Sequence, residues 1–478
     1  MDLFAFGISI DGDVLVAGAP SDDDLGSSAG AAYVFRYDGS EWIQEQKLTA
    51  SDGEALDSFG SIGVAVQGDV IVIGATGDDD LLSSAGAAYV FRYNGSTWDQ
   101  ERKLLASDGN ASDYFGNAVA GHGDVFAIGA HLDEELGTRS GSVYVFRNAV
   151  GATWTEEQKL TASDGGVDDK FGFSVSVDSD TIVVGAPRDV FATGPGAVYV
   201  FRYNGTTWIE EQKLTASDGE SGGKFGYWVS ADADLIIVGA FRDDDNGIDS
   251  GAAYLFRHSG GMWIEEQKLT AADGDANDQF GLAVAVRGGT AFVGAYGDEG
   301  VAEFSGSTYL FCRAGSRWMA NQKLVGSDAR RGSQFGRRLA VTAERIAVSA
   351  HGDDDNGQLS GAAYVYEGEG PVSLDVAMES LVWCVFPPDN LSYDIVRGDL
   401  QILRTSGGDF NAATHECLSS NQLDPSLMYD IEPAPGAGIW FLVRARTSAT
   451  NGTYDSGGNS QVEDRDAEIA ASGSDCPP

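Results

Sequence analysis

Apolar positions in this chain fall in short runs, alternating or continuous, each closed by a turn of Gly, Asn or Asp. One stretch shows the grammar. Residues 171–177 (FGFSVSV) alternate, and Asp178-Ser179-Asp180 turns the chain. A β-branched run, residues 181–184, closes on Gly185-Ala186-Pro187. Residues 196–201 (GAVYVF), a Tyr-Asn-Gly turn and residues 208–214 (WIEEQKL) complete the unit. Period-two runs between such turns are strand and hairpin signals, and no 3.6-residue period competes with them.

The unit recurs. Phe-Gly pairs stand at Phe6-Gly7, Phe59-Gly60, Phe115-Gly116, Phe171-Gly172, Phe225-Gly226, Phe280-Gly281 and Phe335-Gly336, spaced 53, 56, 56, 54, 55 and 55 residues apart. A constant period of this size means one supersecondary unit stacked on copies of itself. Four antiparallel strands repeated seven times predict an all-β, seven-bladed β-propeller, which leaves only short, protected strand edges. The Phe of each pair and the fourth-strand tryptophans (Trp42, Trp98, Trp154, Trp208, Trp263, Trp318) are the large residues available to fill the wedges between blades.

These phrases resemble the FG-GAP repeat, the unit of the seven-bladed propeller of integrin α subunits and of many bacterial surface proteins. Gly18-Ala19-Pro20 and Gly185-Ala186-Pro187 match fully, four copies keep only Gly-Ala, and the seventh reads Ser349-Ala350-His351. The resemblance covers about residues 4–366. It implies a binding or adhesion role outside the cell. The integrin-type Ca²⁺ loop between the first and second strands is not carried over. Here that connection is Asp11-Gly12-Asp13, Gln67-Gly68-Asp69 or Asp178-Ser179-Asp180, too small to supply six to eight oxygen ligands.

Acid collects elsewhere. The loop after the second strand holds Asp22-Asp23-Asp24, Asp78-Asp79-Asp80, Asp133-Glu134-Glu135, Asp243-Asp244-Asp245 and Asp353-Asp354-Asp355. The connection leading into each blade holds a second set, among them Asp52, Asp57, Asp108, Asp113, Asp164, Asp273 and Asp278. In an up-and-down blade both connections open on one end, and the arginines after the third strand (Arg36, Arg92, Arg147, Arg202, Arg257, Arg313) fall at the other. Two readings stand. Asp and Gly are turn residues whose charge keeps the protein soluble and monomeric. Alternatively, neighbouring carboxylates share a hard cation, with Asp52, Asp57, Asp78, Asp80, Asp243, Asp245, Asp273 and Asp278 as candidate Ca²⁺ ligands. The second blade is the best placed; the fourth, with only Asp189 in its loop, and the seventh, with only Asp328 in its lead-in, are the poorest.

Composition narrows the partners. With 73 acidic against 30 basic residues and a net charge of −43, nucleic acid and anionic membranes are disfavoured. No apolar run reaches the length of a transmembrane helix. No signal peptide is visible before the first repeat. Only six fourth-strand Trp…Lys-Leu phrases accompany seven copies of the other strands, so the seventh blade is expected to have three strands. The expectation is that the signal peptide and a closing strand lie upstream of Met1.

Residues 367–371 (EGEGP) mark a composition change. The expected domains are a propeller over residues 1–368 and a β-sandwich over residues 371–478. Trp383, Tyr393-Asp394 and an Arg397-Gly398-Asp399-Leu400 turn make the second similar to fibronectin type III-like modules, which implies a spacer or anchor. Cys417 and Cys476 are expected to form a disulfide, with Cys312 and Cys384 as buried thiols. The Arg397-Gly398-Asp399 tripeptide is read as scaffold rather than as an adhesion signal. Catalytic signals are thin. Five scattered histidines form no metal or triad motif, and repetition argues against one special copy. The sequence therefore points to a secreted or cell-surface, non-catalytic protein that offers an acidic end to a protein or glycan ligand. A polysaccharide-acting enzyme and a purely structural exoprotein are the alternatives.

Overall fold

The computed structural model describes residues 2–148, 153–188, 194–314, 317–355 and 359–367, and in the tail only the strand backbones. The chain divides into two compact units. One comprises residues 1–287, 291–310 and 322–367, and the other residues 288–290, 311–321 and 368–478.

Seven antiparallel sheets follow one another in sequence. The first six have four strands each, in chain order, as in Ile8–Asp11, Val14–Ala19, Ala31–Tyr37 and Trp42–Leu48 of the first blade. Among the described residues the seventh sheet has three: Phe335–Val341, Arg345–Ala350 and Ala362–Glu367. This is the predicted all-β, seven-bladed propeller. The second strand of the first six blades is buried along its whole length, as a strand covered on both faces must be.

Cores form between blades. Val34 and Leu48 of the first blade pack with Phe59, Tyr89 and Trp98 of the second. Phe59, Phe115, Phe171, Phe225 and Phe335 each meet a tyrosine and a second aromatic residue of the third strand edge-on. Phe59 lies 5.6 Å from Tyr89 and 6.0 Å from Phe91, ring centre to ring centre, and Phe115 repeats the pattern with Tyr144 and Phe146. These T-shaped contacts add to the area each ring buries.

The first copy corrects the sequence reading. Phe4, not Phe6, makes these contacts, at 5.7 Å from Tyr33 and 5.9 Å from Phe35. Its amide donates to the Ser360 carbonyl, as the Phe59 amide does to Ala29. Ala5 therefore stands where Gly60 and Gly116 stand in later copies, and like them it has a positive φ (59°). The misreading arose because Phe6-Gly7 spells the motif two residues late.

Glycine is required where second strands meet the next blade. A Cβ on Gly18 would lie 1.8 Å from the Gly60 carbonyl oxygen, and one on Gly74 would lie 1.9 Å from that of Gly116. At the junction of the last and first blades, Ser349 and Ala5 replace this glycine pair. The ring closes there nevertheless. Ala347 packs against Ala5, Ile8 and Ala17, and Arg345 Nη1 donates to the Gly12 carbonyl at 3.2 Å.

The tail strands form two three-stranded sheets. Ser373–Val376, Ser380–Cys384 and Ser426–Met428 make one; Thr414–Gln422, Ser392–Asp399 and Ile439–Arg446 make the other, with Ser392–Asp399 central. Arg397, Gly398 and Asp399 are therefore not in a turn. They belong to a middle strand whose neighbours pair with it on both sides. The expected Cys417–Cys476 pairing lies outside the described residues. Cys312 is disulfide-bonded rather than a free thiol. Among the described residues, no helix is long and apolar enough to cross a membrane.

Candidate functional site

The fourth-strand phrase Trp-x-x-Glu-Gln-Lys-Leu organises the acid-rich end, and the structure gives nearly every letter a task. A β-bulge opposite Val34 and Phe35 inserts Glu45, so that Glu45 and Gln46 both reach the next blade. Glu45 takes the Arg36 guanidinium at 3.0 Å and the Trp98 Nε1–H at 2.9 Å. The Gln46 amide clamps the Trp98 backbone, accepting from its N–H and donating to its carbonyl, both at 2.8 Å. Gln158 holds Trp208, and Gln212 holds Trp263, in the same way. Leu48 completes the core.

The lysine enters the carboxylates. Lys103 Nζ lies 3.1 Å from Asp52, 2.6 Å from Asp78 and 2.6 Å from Asp80. It also sits 5.2 Å above the Tyr89 ring, whose hydroxyl donates to Asp78 at 2.7 Å. Lys268 repeats this with Asp218, Asp243 and Asp245 at 3.0, 2.8 and 2.6 Å, and Lys323 with Asp273 and Asp298 at 2.8 and 2.7 Å. Lys159 repeats it with Asp108, Asp133 and Glu135, whereas Lys47 meets Asp22 and Asp24 of one loop and Lys213 meets the lead-in Asp164. The two acid sets thus meet around an ammonium group in four blades, those of Lys103, Lys159, Lys268 and Lys323.

Of the candidate metal ligands, Asp52, Asp78 and Asp80 share one cluster, Asp243 and Asp245 a second, and Asp273 a third. Asp57 and Asp278 stand apart. Each is buried and closes its own loop, accepting the amide of Glu54 at 2.8 Å and of Asp275 at 2.7 Å. A cation in the three clusters would compete with a lysine already in hydrogen-bond contact with the same oxygens. Sequence reasoning missed the lysines, together with Asp218 and Asp298. The signal was present: in a chain this acidic, one lysine recurs at the same place in all six fourth strands.

Charge states follow from these contacts. Burial alone would raise the Asp52, Asp108, Asp218 and Asp273 carboxyls, but hydrogen bonds from the lysine and tyrosine bring them below the ordinary carboxylate value. The loop-closing group behaves oppositely. Burial pushes Asp113 and Asp278 up to about 6, and the nearby Asp133 and Asp298 carboxylates add to the rise.

The seventh blade differs. Its lead-in Asp328 and its loop residues Asp353 and Asp355 bring carboxylate oxygens within 4.8 Å of one another. Tyr364 donates to Asp328, and Arg330 pairs with Asp355 at 2.6 Å. Among the described residues this sheet has no fourth strand, so no lysine of the repeat reaches the group.

A second feature lies on the axis, and sequence reasoning did not find it. The first strands of all seven blades enclose a cavity of about 310 Å³. Asp11, His122, Asp178 and Arg287 line one end, and Trp228 and Arg338 the other. Arg338 is 4% exposed, with its guanidinium carbon 4.5 Å from the Trp228 ring centre and 5.9 Å from that of Phe6. His351 is buried against Phe6 at 4.8 Å, and burial together with Arg338 and Arg337 holds it neutral. The Nε atoms of Arg337 and Arg338 and the Nε2 of His351 are shielded from solvent and have no hydrogen-bond partner.

Comparison with known proteins agrees with this architecture. The FG-GAP repeat family matches seven segments: residues 1–35, 42–91, 98–146, 154–201, 208–256, 263–311 and 318–366. Each segment after the first runs from the fourth strand of one blade to the third strand of the next. No curated protein matches the chain. Among solved structures, the crystal structure of Saccharomyces cerevisiae Sqt1 is similar at 13% identity, over 76% of this chain and 95% of that one, with a TM-score of 0.39. A likeness that low carries no argument here. The repeat matches, which span most of the propeller, are sufficient: this chain belongs to the FG-GAP repeat family.

Proposed function

We infer that this protein is a non-catalytic binding protein of the cell surface or extracellular space, one that offers the acid-rich end of its propeller to a protein or glycan ligand. The observation that carries this reading is the exposure of the outer carboxylates. Lys47, Lys103 and Lys268 each hold an exposed aspartate (Asp24, Asp80 or Asp245) beside a buried one. The lysine fixes the position of the exposed group without fully cancelling the charge of the cluster, so the same negative group is presented blade after blade. Equivalent copies suit avidity over a broad contact rather than one catalytic centre. The sandwich-like tail serves as spacer or anchor in this reading.

Calcium enters the proposal at one place. Asp328, Asp353 and Asp355 gather carboxylate oxygens that no repeat lysine reaches, and carboxylates suit a hard cation.

The full-length chain can be passed over an immobilised glycan panel and over poly-L-lysine, with and without millimolar Ca²⁺. The reading predicts salt-sensitive retention that weakens about tenfold when Asp24, Asp80 and Asp245 are all changed to Asn. It further predicts that any calcium effect disappears in Asp353→Asn. Retention on neither surface, or the release of new glycan ends, would contradict it. The second result would instead favour the enzyme alternative.

A further inference from the structure

The axial cavity carries an inference independent of the rim. Several arginines of the propeller face acids, as Arg36 faces Asp13 and Glu45, and Arg257 faces Asp234 and Glu266. Arg337 and Arg338 do not. Arg338 Nη1 donates to the Arg337 carbonyl at 2.9 Å, Arg337 Nη1 contacts the Gln334 side chain at 3.4 Å, and both Nε–H groups lack acceptors. No carboxylate pairs with either one among the described residues.

A guanidinium stays charged when buried, and an uncompensated buried charge is costly. The Trp228 face offsets only part of that cost. An acceptor with negative charge would remove the rest, and the cavity that Arg338 lines has room for one. Its walls say more about the occupant. The hydroxyl oxygens of Ser9, Ser176 and Ser230 each accept an amide of the next blade, at 3.1, 3.0 and 3.1 Å, which leaves their own hydrogens to donate. These serines line the same cavity, with apolar residues such as Val175 and Val284 between them. A volume of about 310 Å³ suits a single ring-sized molecule.

We propose that the channel binds a small hydroxylated carboxylate of uronic-acid size, its carboxylate on the Arg338 guanidinium and its hydroxyls towards the serine ring. The planar guanidinium presents paired donors that match a carboxylate, and its contact with the Trp228 ring holds it in place at the cavity wall. Nothing in this depends on what the acidic rim binds.

Titration calorimetry on the full-length chain at low salt tests the site, with glucuronate, acetate, glucose, inorganic phosphate and chloride as separate probes. The expected result is one glucuronate per chain, bound about tenfold or more tightly than glucose or acetate. Arg338→Lys, which keeps the charge but loses the planar fork, should weaken glucuronate about tenfold while leaving poly-L-lysine retention unchanged. Melting curves confirm that this variant is folded, and Trp228→Phe supplies a second variant with a smaller loss of affinity. The proposal is overturned if glucuronate does not bind or binds no better than glucose. Tighter binding of phosphate or chloride overturns it too, as does unchanged glucuronate affinity in folded Arg338→Lys.

Discussion

At the scale of single residues, the junction between the first and last blades shows what one side chain can shift. Ala5 occupies the left-handed position that glycine fills in the other copies, with φ of 59°. A Cβ in that conformation costs about 1 kcal/mol. Ala5→Gly is therefore expected to stabilise the propeller by roughly that amount, seen as a higher denaturant midpoint at unchanged slope. The reverse change, Gly60→Ala, places a Cβ 2.4 Å from the Ala31 carbonyl oxygen and should destabilise by more. Trp42 makes the same point from the other side. It is half-buried where Trp98, Trp154, Trp208 and Trp263 are buried, because among the described residues no fourth strand of the seventh blade lies beside it.

At the scale of elements, the lead-in loops have their own dependence on pH. Asp113 and Asp278 are raised to about 6 in the fold from an ordinary 3.8, so between these values the folded protein binds protons that the unfolded chain has released. Their contribution to stability is fully present below about 3.8 and is lost as pH rises through 6. The lysine-held Asp52 and Asp273 are lowered, so their contribution is present above the unfolded value and is lost as pH falls below it. Stability should peak between these limits. The melting temperature is expected to fall by about 3 °C from pH 5 to pH 7, and the slope should shrink in Asp278→Asn. An unchanged slope in that variant would remove the assignment.

The strands themselves were legible because alternation, turn residues and a fixed period all agreed, so the all-β, seven-bladed ring could be anticipated. Two things were not. The Phe6-Gly7 spelling hid Phe4, since contacts rather than letters define the repeat. The Arg397-Gly398-Asp399 stretch read as a turn on account of its glycine, yet pairing with neighbours on both sides keeps it in a strand.

At the scale of the molecule, a chain of net charge −43 folds a ring in which four of the six repeat lysines stand between paired acid loops. The acid clusters were visible in the sequence. Their counter-ion was not, because Lys103 lies 51 residues from Asp52 and 23 from Asp80, and only the blade geometry brings them together. The axial arginines were equally hidden, since nothing local marks Arg338 as buried.

The central claim is that this ammonium group, supplied by the chain itself, holds two acid loops together in the blades of Lys103, Lys159, Lys268 and Lys323. A double-mutant cycle on thermal or denaturant unfolding tests it directly, using Lys103→Met, Asp78→Asn and the pair. Lys103→Met alone should cost about 3 kcal/mol, because Asp78 is left buried beside Asp52 and Asp80 without a cation. The account predicts a coupling of about 2 kcal/mol between the two positions. Additive losses, with coupling below about 0.5 kcal/mol, would contradict it.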